Sequence, residues 1–174
     1  MKMVELIQQR RSCRIYTDQQ VETEKQEELK KILLWSPTSK NNRPWEFVFV
    51  DDKLLLQQLS ECKPHGASFI KNAPLAIVIL ADPEKSDVWI EDTSIAAAFL
   101  QAGAEDIGLG SCWVQIRNRF HASGIKASEQ VKMLLNAPTH LETACIITIG
   151  YKGKERRPYN NDDLLNERIH HNTF

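Results

Sequence analysis

The run PLAIVILA at positions 74–81 constrains the fold most, because every one of its residues is apolar. A strand with one exposed face alternates apolar and polar residues, whereas a strand buried on both faces reads as a continuous apolar run. We therefore predict a strand over 74–81 that other parts of the chain cover on both faces.

Apolar periodicity and turn residues predict eight further elements around this strand. The predicted helices span 2–11, 22–35, 53–63, 88–107 and 128–136, and the predicted strands span 45–50, 111–116 and 143–151. From 152 onwards the chain is polar and basic, with little apolar material for a core. This order predicts one α/β or α+β domain over residues 1–174 with a central sheet.

The helices differ in how their apolar residues are arranged. One face of the first helix is predicted to carry Met3, Leu6, Ile7 and Arg10. The inward-facing residues of the second helix are predicted to be Leu29, Ile32 and Leu33. The stretch IAAAFLQAGA at 95–104 is apolar or small almost all round, so we expect it at the centre of the molecule or in a subunit interface.

Composition excludes several classes of protein. The 174 residues are 42% hydrophobic and carry a net charge of −1, which argues against a general nucleic-acid binder. We expect no membrane association, because no apolar run reaches the length of a membrane span. The N-terminus is too polar for a signal peptide. The four cysteines are widely spaced, so reduced thiols in a cytoplasmic protein are expected.

The stretch RRSCR at 10–14 concentrates three arginines around a serine and a cysteine. If the first helix ends near Arg11 and the chain then runs extended, Ser12 and Arg14 share one face while Cys13 and Ile15 face the core. Arg10 could turn toward Ser12 and Arg14, and together they would suit a phosphate group. Alternatively, the arginines simply favour a helix C-terminus. The spacing alone supports both interpretations.

Three further segments allow a functional and an ordinary interpretation. The loop at 36–45 offers small polar groups to a ligand, or it is a capped turn. The segment GLGSCWVQI at 108–116 lets backbone approach a flat ring, or it is a helix end at Gly108 followed by a core strand. The cluster Lys154, Arg156 and Arg157 is a second anion site or a solvated tail. No G-x-G-x-x-G or Walker motif occurs, and the histidines show no metal-ligand spacing.

Four motifs in this order resemble those of the nitroreductase family of flavin enzymes. They are RRSCRIY at 10–16, PTSKNNRPW at 37–45, the stretch from Asp92 to Trp113 that ends in GLGSCW, and IGY at 149–151 followed by a basic segment and ERIHHNTF. The resemblance covers almost the whole chain. It implies an α+β, three-layer α/β/α fold with a mostly antiparallel sheet, in an intertwined homodimer with two FMN molecules at the interface.

The resemblance also implies which residues bind FMN. Arg10, Ser12 and Arg14 would hold its phosphate and ribityl chain, with Arg11 near the polar edge of the ring. Lys154 and Arg156, or Arg157, would complete the phosphate site. Pro37, Thr38, Ser39 and Asn41 would reach the flavin from the other subunit. Trp113, Val114 and Gln115 would lie against the isoalloxazine near N5.

The activity implied is reduction of a small acceptor, a nitroaromatic or a quinone, by NADH or NADPH in a ping-pong reaction with hydride transfer through flavin N5. No catalytic side chain is expected, because the cofactor carries the chemistry. Alternatives on the same fold are a flavin oxidase, a dehalogenase, a flavin reductase of cofactor metabolism and a non-catalytic FMN-binding redox protein. The sequence departs from the family pattern at Arg43, where glutamine is usual, and at Ile116, where many relatives have glycine.

Overall fold

The computed structural model describes residues 2–174 and leaves Met1 outside the described part. Its helices are α1 (Met3–Gln9), α2 (Thr23–Leu34), α3 (Lys53–Ser60), α4 (Trp89–Asp106) and α5 (Ala127–Leu135). Its strands are β1 (Trp45–Val50), β2 (Leu75–Ala81), β3 (Gly110–Gln115) and β4 (Glu142–Gly150). Short 3-10 turns occur at Ser39–Asn41, Ser68–Asn72, Asn161–Asp163 and Asn166–Arg168. Each predicted helix and strand is therefore confirmed, with shifted ends.

The largest boundary error lies at the end of α3, which stops at Ser60 instead of residue 63. Lys63 precedes Pro64, and a residue before proline is disfavoured in the helical conformation. The chain leaves the helix at Glu61, whose φ and ψ are −102° and 0°. This early exit releases Lys63 from the helix.

The sheet has the strand order β1-β2-β4-β3, and each neighbouring pair is antiparallel. Its two inner strands, β2 and β4, are buried almost throughout. The prediction of a strand covered on both faces is thus confirmed for β2. Strands β1 and β3 form the two edges of the sheet.

Helices cover both faces of the sheet. Leu29 of α2 and Leu100 of α4 pack on the face that carries Ile77 and Ile79. On the other face, the helices α3 and α5 pack against Val78 and Leu80. Complete burial of one such side chain contributes roughly 1.5–3 kcal/mol. The architecture is a three-layer α/β/α arrangement of the α+β class, as the sequence predicted.

Two helices leave apolar side chains outside this core. In α1, Leu6 is buried, whereas Met3 and Ile7 on the same predicted face are 60% and 58% exposed in a single chain. This short helix packs mainly on α4, which covers one side of it. Similarly, α4 buries Ala96, Ala97 and Leu100 while Ile95 and Phe99 remain exposed. Among the described residues, no helix is both long and apolar enough to cross a membrane.

Candidate functional site

The segment after α1 crosses from β3 to the chain that follows β4. The Cys13 N–H donates to the Ser111 carbonyl at 2.9 Å. Four residues later, the Thr17 N–H donates to the Tyr151 carbonyl, and the Ile15 carbonyl accepts from the Gly153 N–H at 2.8 Å. The segment is extended, but it changes its backbone partner between residues 13 and 15.

This change of partner corrects the predicted alternation of side chains. Cys13 is 6% exposed, as expected for a residue facing the core, but Ile15 is 55% exposed. Alternation holds along a strand that keeps one partner, whereas this segment bonds first to β3 and then to the segment after β4. The prediction is correct for Cys13 and wrong for Ile15.

Two glycines shape the chain before β3: one ends α4, and the other lets the segment around Cys13 approach the strand. Gly108 directly follows the end of α4 with a φ of +79°, which fits the predicted helix end. At Gly110, an added Cβ would lie 2.7 Å from Cys13 Cβ and 2.8 Å from Lys152 Cγ. Gly110 therefore permits close contact with the chain's own segment around Cys13.

The thiol of Cys112 lies within the electrostatic influence of several basic side chains. Burial raises its pKa, while Arg14, a hydrogen bond from Ser12, Arg10 and Arg156 all act in the opposite direction. Such electrostatic influence requires the cations to lie nearby. Arg14 and Arg156 line one concave site, and Ser12 and Arg156 line the adjoining cleft. We call Arg10, Ser12, Arg14 and Arg156 the basic corner.

A concave site of about 490 Å³ adjoins the basic corner. Its lining consists of Arg11, Cys13, Arg14, Ile15, Lys154, Arg156 and Arg157. None of these is a carboxylate, so positive charge accumulates at the site without an acidic neighbour in its lining. The volume falls in the range of about 300–1,000 Å³ that is usual for small-molecule sites.

Arg11 contacts the C-terminal segment of the same chain. Its Nη1 donates to the Arg157 carbonyl at 2.6 Å, and its guanidinium lies 4.3 Å from the ring centroid of Tyr159. Gln8 reinforces the attachment, because its side chain donates to the Tyr159 carbonyl and its carbonyl accepts from the Tyr159 N–H. Arg11 thus fastens the C-terminal segment to α1, while Arg10 belongs to the basic corner.

Arg156 and Arg157 also differ in whether their side chains are bonded within the chain. Arg157 forms a two-pronged ion pair with Asp163, at 2.9 and 2.8 Å. That contact raises the pKa of Arg157 and lowers the pKa of Asp163. Within residues 2–174, none of the ion pairs involves Arg156. Of the two arginines, Arg156 is the one available to a ligand.

The predicted loop residues Pro37, Thr38, Ser39 and Asn41 form a second, separate group, which we call the loop corner. Buried Asp92 fixes this loop: its Oδ1 accepts from the Ser39 N–H at 2.8 Å, and its Oδ2 accepts from the Ser86 hydroxyl at 2.8 Å. The side chain of Asn41 accepts from Arg43 Nε at 2.9 Å. Arg43, the departure from the family pattern, therefore stabilises the loop.

The two corners lie at diagonally opposite ends of the sheet. The loop corner leads into Trp45 on edge strand β1, which pairs with Ala81 of β2. Ser111 on the other edge strand is aligned, through Ile149, with Leu75 at the far end of β2. Strand spacing and rise put the corners about 14 Å apart across the strands and about 20 Å apart along them. One chain does not bring both corners to one small ligand.

The predicted residues of β3 are placed on different sides. Val114 is buried in the core that α3 and α5 share with the sheet. Trp113 Nε1 donates to Gln115 Oε1 at 2.9 Å, and Gln115 Nε2 donates to the Arg117 carbonyl at 2.9 Å. Val114 can therefore offer a ligand little of its side chain, whereas Trp113 and Gln115 remain partly exposed.

Lys63 is a candidate site residue that the sequence did not indicate. Its ammonium donates to the Gln115 carbonyl at 2.8 Å. This places a cation at the end of β3 that is remote from Ser111. Since the two residues are separated by 52 positions, no local motif could have linked them.

The chain is similar to known proteins over nearly its whole length. The family model described as the nitroreductase family matches residues 7–63 and 54–151. A relative from Archaeoglobus fulgidus, provisionally named NADH dehydrogenase/NAD(P)H nitroreductase, is 33% identical over 172 residues, which cover 96% of this chain and 95% of the relative.

Solved structures are also similar to this chain over nearly its whole length. An FMN-dependent nitroreductase from Clostridium difficile R20291 shares 48% identity at a TM-score of 0.97, with 98% of this chain and 99% of that chain covered. A provisionally named NADH dehydrogenase/NAD(P)H nitroreductase from Parabacteroides distasonis shares 32% identity at a TM-score of 0.89, with 100% and 99% covered.

Proposed function

The chain belongs to the nitroreductase family, and from this premise we propose that residues 1–174 form one FMN-binding domain of an oxidoreductase. Its electron donor would be NADH or NADPH, and its acceptors would be small molecules such as nitroaromatics and quinones. One observation carries the proposal: the concave site beside the basic corner is lined by Arg14, Lys154 and Arg156 and by no carboxylate.

The basic corner fits the phosphate of FMN. Guanidinium groups match phosphate oxygens in a planar, two-pronged arrangement, and the Ser12 hydroxyl adds a further donor. Lys154 lines the adjoining concave site and would add another positive charge. A dianion among these groups would offset their mutual repulsion.

The outer edge of β3 fits a flat, polar ring. Backbone groups of an edge strand point alternately toward and away from its partner, and the Ser111 and Gln115 carbonyls both bond on the side away from β4. The N–H groups of Trp113 and Gln115 therefore also point away from β4. Within the described chain, neither N–H donates a hydrogen bond on that side of the strand. From Ser111 to Gln115 the strand rises by about 13 Å, which leaves room for a ribityl chain between phosphate and ring.

The loop corner would come from a second copy of the chain, because one chain holds its two corners apart. In a two-fold dimer, each copy contributes its basic corner to one site and its loop corner to the other. The exposed apolar residues Met3, Ile7, Ile95 and Phe99 support such an assembly, because obligate interfaces are apolar. We therefore include a homodimer in the proposed function.

Bound FMN would supply the redox chemistry: a hydride taken from NADH or NADPH, leaving NAD(P)⁺, would be passed to the acceptor together with a proton from water. The chain binds and orients the cofactor. Outward N–H groups of β3 would stabilise negative charge at the ring as fixed dipoles. The side chain of Trp113, held by Gln115, would shape the space beside it.

Reconstitution with FMN tests the proposal. The purified protein should retain about one FMN per chain, and anaerobic NADH or NADPH should bleach the flavin spectrum within seconds. Addition of a quinone or a nitroaromatic should then restore it, with parallel lines in double-reciprocal plots as a ping-pong reaction requires. A protein that takes up no FMN would contradict the proposal. Bound FMN that neither nicotinamide bleaches would indicate a redox protein without this activity.

A further inference from the structure

Glu105 is a buried carboxylate in the last turn of α4. It is 7% exposed, and the helix dipole disfavours a negative charge at this end of a helix. Its Oε1 accepts from Lys152 Nζ at 2.5 Å, whereas the buried Oε2 has no hydrogen-bond partner among the described residues. Burial of this carboxylate therefore depends on the Lys152 ammonium, because a buried charge without a partner is strongly destabilising.

Lys152 reaches Glu105 across the start of β3. Its stem passes beside Gly110, where an added Cβ would lie 2.8 Å from Lys152 Cγ, so a side chain at this position would collide with the stem. The backbone of Lys152 is bridged to Tyr16 at the same time. Lys152 is thus fixed twice, through its backbone to the segment after α1 and through its side chain to the end of α4.

The segment 152–157 contains four basic residues, which differ in their ion pairs. The outer two, Lys152 and Arg157, each pair with a carboxylate. The inner two, Lys154 and Arg156, belong to none of the ion pairs within residues 2–174. In the described chain, no backbone hydrogen bond involves residues 154–156. The two unpaired cations therefore lie on a short stretch of chain that is held at its two ends.

We infer that Glu105 is a positioning residue for the phosphate of FMN: through Lys152, it holds the segment from which Lys154 and Arg156 reach that phosphate. This inference rests on the proposed function, since it requires the phosphate at the basic corner. Lys152, Lys154 and Arg156 line one narrow cleft together with Ser12. Because the Lys152 ammonium is bonded to Glu105, it anchors the segment and leaves the phosphate to its neighbours.

Two other roles for this ion pair would have different consequences. If Lys152 were itself a phosphate ligand, removing Glu105 would free its ammonium and strengthen FMN binding. If the pair only stabilised the fold, its loss would weaken the binding of every flavin alike. A positioning role predicts that loss of either partner weakens recognition of the phosphate and spares recognition of the ring.

The test compares binding of FMN with binding of riboflavin, which lacks the phosphate, by fluorescence titration. In Glu105→Met and in Lys152→Met we expect the ratio of FMN affinity to riboflavin affinity to fall about tenfold, as when a charge-assisted contact loses its alignment. The double variant should show the same decrease instead of the product of two, because the partners act as one unit. It also buries no unpaired charge, so it provides the comparison if Lys152→Met fails to fold.

Glu155→Gln is the matched control, because this carboxylate lies 4.0 Å from the same ammonium and is 79% exposed. An exposed pair of this kind contributes little, so the variant should not lower the ratio. A second readout is the ³¹P NMR signal of bound FMN, which decides the question if riboflavin binds too weakly to titrate. That signal should shift in Glu105→Met and keep its wild-type position in Glu155→Gln.

Three results would contradict the inference. They are an unchanged ratio and an unchanged ³¹P signal in Glu105→Met, an equal loss of affinity for both flavins, and stronger FMN binding in Glu105→Met with weaker binding in Lys152→Met. The last of these would make Lys152 a phosphate ligand. If the wild-type protein binds no FMN, the proposed function itself fails.

Discussion

The basic corner and the loop corner differ in what holds them in place. Hydrogen bonds to Asp92 and between Asn41 and Arg43 order the loop corner within its own chain. At the basic corner, Arg14 has one cation–π contact, 5.7 Å from the ring centroid of Phe69, and no carboxylate. The loop corner is thus preorganised, whereas Arg14 and Arg156 of the basic corner form no ion pair within residues 2–174. This difference shows that one corner supplies shape and polar groups and the other supplies charge.

The largest effect is expected from reversing charge at the basic corner. Arg14→Glu places a carboxylate beside a dianionic phosphate, so we expect FMN affinity to fall by at least about a hundredfold. Fluorescence titration with FMN measures the loss. Arg168→Glu, on the exposed C-terminal segment, is the matched control and should bind normally. Unchanged affinity in Arg14→Glu would refute the assignment of this corner to the phosphate.

Mixing two defective chains tests whether the corners meet across a dimer. Ser39→Trp adds bulk at the loop corner and, like Arg14→Glu, should prevent FMN binding alone. After unfolding and refolding an equal mixture, heterodimers contain one site whose two corners are both intact. Random assembly then restores about a quarter of the sites, which absorbance of retained FMN would show. Recovery of no sites would refute the shared site.

A smaller effect is expected from loosening the loop corner. Asp92→Ala leaves the Ser39 N–H and the Ser86 hydroxyl without their acceptor, which costs about 1–3 kcal/mol of unfolding free energy. We expect FMN affinity to fall about tenfold, because the loop is no longer preorganised. Chemical denaturation and FMN titration measure the two effects. Exposed Asp87→Ala is the control. Equal unfolding free energies and equal FMN affinities in the two variants would show that Asp92 does not order the loop.

The smallest effect on FMN is expected from Arg11→Ala, because that side chain contacts Arg157 and Tyr159 instead of the basic corner. FMN affinity should change less than about threefold, while hydrogen exchange over residues 157–163 accelerates as the cation–π and carbonyl contacts are lost. Arg10→Ala should show the reverse pattern. A greater loss of FMN affinity in Arg11→Ala than in Arg10→Ala would show that Arg11, and not Arg10, contributes to FMN binding.

The sequence predicted the parts of the molecule that follow from local patterns. The apolar run at 74–81 became buried β2, and the four motifs indicated the fold now seen in the structure. The strand order β1-β2-β4-β3 was not predictable in this way, since it depends on which strands meet after long connections. The loop predicted at 36–45 forms within one chain, whereas its contact with FMN across a dimer remains a proposal.

The positions of side chains that depend on contacts between distant parts of the sequence were not predictable. Arg10 and Arg11 are adjacent and chemically identical, and the choice between them depends on Arg157 and Tyr159 at the other end of the chain. Ile15 is exposed because its segment changes partner, which alternation cannot reveal. Lys63 gained its position because α3 ends before Pro64.

The free edge of β3 also bears on the solubility of the protein. Unpaired backbone groups on an edge strand are a template for pairing with another chain. Here the Cys13 segment closes the Ser111 end and Lys63 places a charge at the Gln115 end, so the unprotected length is short. In the proposed holoenzyme a flat ring would lie along what remains. Removing FMN would then abolish turnover and also expose the unpaired backbone groups of β3. Apoprotein at high concentration should therefore self-associate more readily than holoprotein.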